Sequence, residues 1–213
     1  MADQNLPAPY EPIKYPYPGT YEEITRREAR AGLELLLKQK AERIDRFQAY
    51  LLANTGIELS TSSTFEELDV LPEVLAGLGK RIPVRQERVE ELVGAMPKEL
   101  QGFFRSQMPK WEPDMQSLLL GFDAGLLWGD IFIRKYPSSQ WAIARGVKTS
   151  VDFQHPVITA QPPTNMVFNP IRELNAFINN VVTEKPDRWK PSMITKHRAF
   201  ALGLDVNPLS ATE

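Results

Sequence analysis

The chain has 213 residues, 42% of them apolar, and 25 basic against 27 acidic side chains leave a formal net charge of -2. It contains no cysteine and two histidines, His155 and His197, which excludes disulfide scaffolds, thiol nucleophiles, zinc fingers and iron–sulfur clusters. Basic clusters such as Arg26, Arg27 and Arg30 are interleaved with Glu22, Glu23 and Glu28, so no unbalanced phosphate-binding stripe forms and nucleic-acid binding is not expected.

Residues 1–19 read as an extended arm, because Pro7, Pro9, Pro12, Pro16 and Pro18 forbid a helix there. The arm carries Tyr10, Tyr15 and Tyr17 and a PxxP pattern at Pro9–Pro12, and it has neither the basic start nor the apolar run of a secretion signal. Thr20 and Glu23 have the spacing of a capping box, which predicts a long helix from there to about Asn54. On that helix Leu33, Leu37, Ile44, Phe47 and Leu51 form the inner stripe, while Lys38, Lys40, Glu42, Arg43 and Asp45 are assigned to the solvated side. Residues 57–79 predict a short extended piece and one or two short helices, and residues 83–104 a helix pair interrupted at Pro97.

Residues 114–136 predict the central helix of the fold. Placed on a wheel at about 100° per residue, Gly121, Gly125 and Gly129 align on one side and the rest of the cylinder is apolar almost all round. Three glycines in register cost roughly 0.5–1 kcal/mol each relative to Ala, so close approach of another backbone is the expected reason for them. After Pro137 the period changes, and residues 140–145 and 149–160 predict two antiparallel strands with Gly146 in the turn. Asn169-Pro170 then supplies the cap and first position of a helix to about Thr183, and Ser192 caps a possible short helix over Met193–Leu202. The expected fold is therefore helix-rich α+β: an arm (1–19), one domain (20–183) and a C-terminal tail (184–213).

Hydrolase, kinase and dinucleotide motifs are absent from the sequence, and no metal or cofactor is expected. The polar stripe of the central helix is Gln116, Asp123, Asp130 and Arg134, with Asp130 and Arg134 spaced as an i, i+4 pair. One expectation is a narrow solvent-facing seam closed by that pair. The sharper one is a polar notch in an apolar surround, where Asp123 and Asp130, about 10.5 Å apart along the axis, contact one ligand or partner. Trp111 and Trp189, in polar proline-rich contexts, are surface candidates for binding a partner, as are Tyr15 and Tyr17 of the arm. Asp152 and His155, placed on one strand, point to opposite faces and do not share a metal.

The order of parts resembles poorly characterised bacterial immunity-like or accessory domains over about residues 57–183. The resemblance rests on the Gly-x-x-x-Gly helix of Gly125 and Gly129, the acidic residue after it (Asp130, where Glu is commoner) and Trp141 at the start of the next strand. It implies a non-enzymatic, cytoplasmic protein that binds a protein partner, such as a toxin that it neutralises. The alternatives are a small-ligand enzyme or sensor using Asp123, Asp130 and Arg134, and a structural homo-oligomer. No membrane segment is expected, because the most apolar run, residues 118–133, carries Asp123 and Asp130.

Overall fold

The computed structural model describes residue 10 and residues 23–161, 166–185 and 190–204. Tyr15, Tyr17, Thr20 and Trp189 lie outside the described residues. The fold is helix-rich α+β, with seven α-helices and two small antiparallel sheets among those residues.

The long N-terminal helix, α1 (Arg26–Thr55), begins later than expected. Its capping box is the second T-x-x-E in the sequence: Thr25 accepts from the Glu28 amide at 3.2 Å, and Glu28 accepts from the Thr25 amide at 2.6 Å. Glu23 stands in a turn before it, so the helix does not start at the expected position. Gly56, at φ 71°, ends α1 in the left-handed conformation that glycine adopts without a Cβ penalty. The buried stripe also differs from expectation. It runs through Leu33, Leu36, Arg43, Phe47 and Leu51, whereas Leu37 is exposed.

A 3-10 turn (Glu66–Val70) leads into α2 (Leu71–Leu78). The ribbon β1 (Arg81–Pro83) and β2 (Trp111–Pro113) then pairs antiparallel, Ile82 opposite Glu112, and was not anticipated from the sequence. Each strand is only three residues long and carries a proline, so the alternation that marks a strand has no room to develop. Between these strands stand α3 (Gln86–Gly94) and α4 (Lys98–Gln107), the expected helix pair.

Asp114 accepts from the Ser117 amide and caps the central helix α5 (Met115–Lys135). Its length and composition would suffice to cross a membrane, yet most of it is buried inside the fold, which is compatible with a soluble protein. α6 (Pro170–Val182) packs along α5. The expected backbone approach is there: a Cβ on Gly125 would stand 2.6 Å from the Ile171 Cα and 2.9 Å from its amide nitrogen. Gly129 instead faces the Trp141 ring, and Gly121 faces Asn175 and Ile178.

β3 (Ser139–Ile143) pairs antiparallel with β4 (Pro156–Ala160), Trp141 opposite Ile158. Residues 151–154 are a turn rather than the start of the second strand. Gln154 has a φ of 60°, and Asp152 accepts from Asn169 and Arg172. The last helix, α7 (Pro191–Ala201), is not an appendage. Thr195 accepts from the Trp128 indole at 2.8 Å, and Ala199 and Leu202 belong to the main core. Ser192 does not cap it; Ser192 binds Asp69 through its amide and hydroxyl, both at 2.8 Å.

Candidate functional site

Three of the four polar residues of the α5 stripe, Gln116, Asp123 and Asp130, face α1. On α1, residues 33, 36, 40, 43, 47 and 50 recur at steps of three and four and so share one face. That face places Lys40, Arg43 and Tyr50 against α5. Lys40 Nζ lies 2.6 Å from Asp130 Oδ1. Arg43 Nε and Nη2 both reach Asp123 Oδ1 at 2.6 Å, and Gln116 Nε2 donates to the Tyr50 hydroxyl at 3.2 Å. Residue numbers rise along α1 as they fall along α5, so the three pairings form an antiparallel polar seam.

Its middle is fully buried. The side chains of Arg43 and Asp123 are each 1% exposed. The second Asp123 oxygen accepts from the Tyr10 hydroxyl at 2.6 Å. Tyr10 is itself buried and stands edge-on to Tyr50, with ring centroids 5.0 Å apart. The Arg43 guanidinium also lies over the Phe122 ring, 4.7 Å from its centroid. Burial pushes the Asp123 carboxyl above its ordinary value, and Arg43 and Tyr10 act against that push. Burial, and then the Asp123 charge, push the Tyr10 phenol up as well, so it remains a donor to the carboxylate. A slip of α1 by one turn would place Phe47 opposite Asp123 in one direction, and in the other would bring Lys40 there and take it from Asp130. Leaving a buried carboxylate unpaired costs about 3–5 kcal/mol, so the seam specifies the register of α1 on α5.

The three expected site residues therefore do not converge on one opening. Asp123 has both oxygens occupied. Asp130 pairs with Lys40 and accepts from the Trp141 indole at 3.3 Å. Arg134, expected to pair with Asp130, donates instead to the Ser63 carbonyl at 3.2 Å. It lines a cavity of about 270 Å³ with Phe65, Ile131 and Lys135, away from both aspartates. Trp141 lies against Gly129 and donates to Asp130, whereas Gly125 faces the Ile171 backbone. Trp111 is half-buried on the ribbon, with the Arg81 guanidinium 5.4 Å from its ring centroid, and is not a free surface anchor. Among the described residues, no group of three or more His, Asp or Glu side chains is placed to hold a metal ion.

The surface offers a different feature. Not one residue of α4 is buried. Leu100 is 46% exposed and Phe103 63% exposed, and Phe104 stands beside it with ring centroids 6.0 Å apart. Leu92 on α3 is exposed too, so only Val89 and Val93 give the hairpin a buried interior. These apolar residues follow the helical period of a core-facing helix, but no element of the described fold covers them. Periodicity marks an apolar face; it does not say whether that face is covered by the chain's own elements.

No protein-family model, curated protein or solved structure matches this chain.

Proposed function

We propose that this is a non-enzymatic protein-binding protein whose contact element is the α3–α4 hairpin. The observation that carries the reading is α4, a helix with no buried residue that presents Leu100, Phe103 and Phe104 to solvent at the end of a two-stranded ribbon. Fully burying a Phe or Leu side chain is worth about 1.5–3 kcal/mol, and aromatic anchors of this kind dominate protein interfaces. The occupied Asp123 carboxylate supports the same reading, because the most buried charged group on α5 serves the packing of α1. The resemblance to immunity-like domains adds a specific form, in which the protein acts in a bacterial cytoplasm and the partner is a toxin that it neutralises.

The test is affinity purification of the full chain from its native host, in parallel with the Phe103→Asp/Phe104→Asp double variant. A stoichiometric partner recovered by the wild type and lost with the variant is expected. Both side chains are exposed, so circular dichroism and thermal melting should be unchanged by the substitution. Absence of any stoichiometric partner, or its full retention by the variant, refutes the reading. For the toxin form, co-expression of the recovered partner should arrest growth with the variant and not with the wild type.

A further inference from the structure

A groove of about 440 Å³ opens at the root of the hairpin, where the ribbon meets the start of α5. Its floor is apolar: Ile82, Pro113, Met115 and Leu118. Met115 is 67% exposed and Ile82 40% exposed, an arrangement that wastes apolar surface on water unless something covers it. The polar rim is cationic. Arg88 is neutralised by Glu112 at 2.9 Å, and Arg85 stands beside them as the remaining charge, with Asn179 of α6 on the opposite wall.

Two further observations extend the site. Arg85 at the N-cap of α3, Arg88 and Leu92 are spaced at three and four residues, so the wall of the groove continues from Arg85 up one face of α3 to the exposed Leu92. That span of seven residues is about 10.5 Å, two helical turns. Residues 80–113 also carry seven basic against five acidic side chains, a net +2, within a chain of net charge -2. The rest of the molecule is therefore net -4 taken as a whole, and the ribbon with its hairpin is one of several positively charged stretches of an acidic protein.

From this we infer that the groove binds an acidic amphipathic segment of a partner protein, about two helical turns long. Its apolar side chains fill the space over Ile82, Met115 and Leu118, and a carboxylate meets Arg85. A concave floor with a single uncompensated arginine suits a segment that inserts side chains, whereas a flat anionic bilayer cannot enter it. The volume lies within the roughly 300–1,000 Å³ of ordinary binding pockets. Opposite charge at the rim chiefly sets partner choice and association rate, while the buried apolar anchors hold the complex together. The inference rests on the protein-binding reading but uses the root of the hairpin, so substitutions at the tip and at the root report on the two separately.

The test is selection of a random dodecapeptide phage library on the full-length chain, followed by titration of the synthesised winners by fluorescence anisotropy. Winners rich in Asp or Glu beside Leu, Ile or Phe are expected. Their affinity should fall at least tenfold with Arg85→Glu and with Met115→Asp, and stay within twofold with Phe103→Asp. All three sites are exposed, and urea unfolding of each variant checks that the fold is retained. Failure to select any peptide overturns the inference, as do winners without acidic enrichment or binding indifferent to both groove substitutions. Binding of phosphatidylglycerol vesicles in place of peptides would reassign the surface to membrane. A concentration-dependent dimer that sediments as a monomer after Arg85→Glu would reassign it to a second copy of the chain.

Discussion

Replacing Arg43 by Met gives the sharpest check on the buried seam. The substitution keeps much of the aliphatic volume and removes the guanidinium that supplies two of the three donors to Asp123. The carboxylate, with the residue 0% exposed, is left with the Tyr10 hydroxyl alone. Such an uncompensated buried charge costs about 3–5 kcal/mol. Against the roughly 5–15 kcal/mol by which domains are stable, that is between about a fifth and the whole of the total. At about 2–4 °C per kcal/mol for a domain of this size, the melting temperature should fall by some 6–20 °C. The single Asp123→Leu change removes the carboxylate that faces the buried Arg43 and should also destabilise, whereas the double change should recover most of the loss, because an apolar pair can replace a buried ion pair at little net cost. Tyr10→Phe should cost about 1.5–3 kcal/mol in the wild type, the worth of a hydrogen bond to a charged group, and close to nothing once Asp123 is Leu. Urea unfolding at pH 7, followed by far-ultraviolet circular dichroism, yields both cycles. A further signature is the pH dependence. Burial raises the Asp123 pKa, so the folded state holds that proton more tightly than the unfolded state, and the contribution of Asp123 is present at low pH and declines as pH rises from 3.8 through the raised value. The decline should be steeper in Arg43→Met and absent in Asp123→Leu. Single substitutions that cost under about 1 kcal/mol and add independently would refute the account of a closed, desolvated network.

Two other outcomes follow from packing and titration. Gly125→Ala should destabilise the protein by about 1–3 kcal/mol in the same urea assay, since the new methyl would meet the Ile171 backbone, which cannot turn aside as a side chain can. Gly102→Ala on α4 is the control: nothing lies within 4 Å of its added Cβ, so the better helix propensity of Ala should stabilise by up to about 1 kcal/mol. His155 is held below its ordinary pKa of 6.5, by burial first and by the Arg172 charge, with the Asp152 charge opposing. Its folded-state pKa is depressed, so the unfolded state takes up the proton first, and the stability it confers above pH 6.5 is lost as pH falls through the depressed value. His155→Gln should remove that part of the slope below pH 6.5; an unchanged slope would rule His155 out as its source.

Much of the fold is legible in local pattern. The glycine register of α5, its near-complete burial, the Asn169-Pro170 start of α6 and the β3–β4 pairing all follow from residues within a few positions of one another. The errors have a common cause. Arg43 looks solvated when its neighbours Glu42 and Asp45 are read with it, yet the three-and-four spacing from Leu36 to Phe47 puts both Lys40 and Arg43 inward. Two cations on an otherwise apolar stripe were the available signal for a buried partner, and Asp123 and Asp130 were already identified as the lone acids of the other helix. What no local pattern contains is that the two stripes face each other, because residues 43 and 123 are 80 positions apart and their pairing is set by the packing of the whole molecule. Tyr10 is further still, 113 positions from Asp123, and nothing in its proline-rich surroundings names that partner.

The same distinction bears on the hairpin. Local pattern marks Leu100, Phe103 and Phe104 as an apolar face, and a reader of the sequence assigns that face to the core, as for any amphipathic helix. Whether the assignment holds depends on the connection to the core. Here it consists of two three-residue strands, each with a proline, and such a ribbon is marginal on its own. Inside the hairpin only Val89 and Val93 are buried, so its internal packing contributes far less than the core around α5. Low local stability of this kind is usual in elements that rearrange on binding. It also has an energetic consequence: part of the apolar burial gained at Phe103 and Phe104 goes into fixing the hairpin's orientation, and only the remainder appears as affinity. A partner that engages both the tip and the groove at its root would fix the hairpin once for two sets of contacts. The tip and the groove should therefore bind a common partner more tightly together than either site's own affinity suggests.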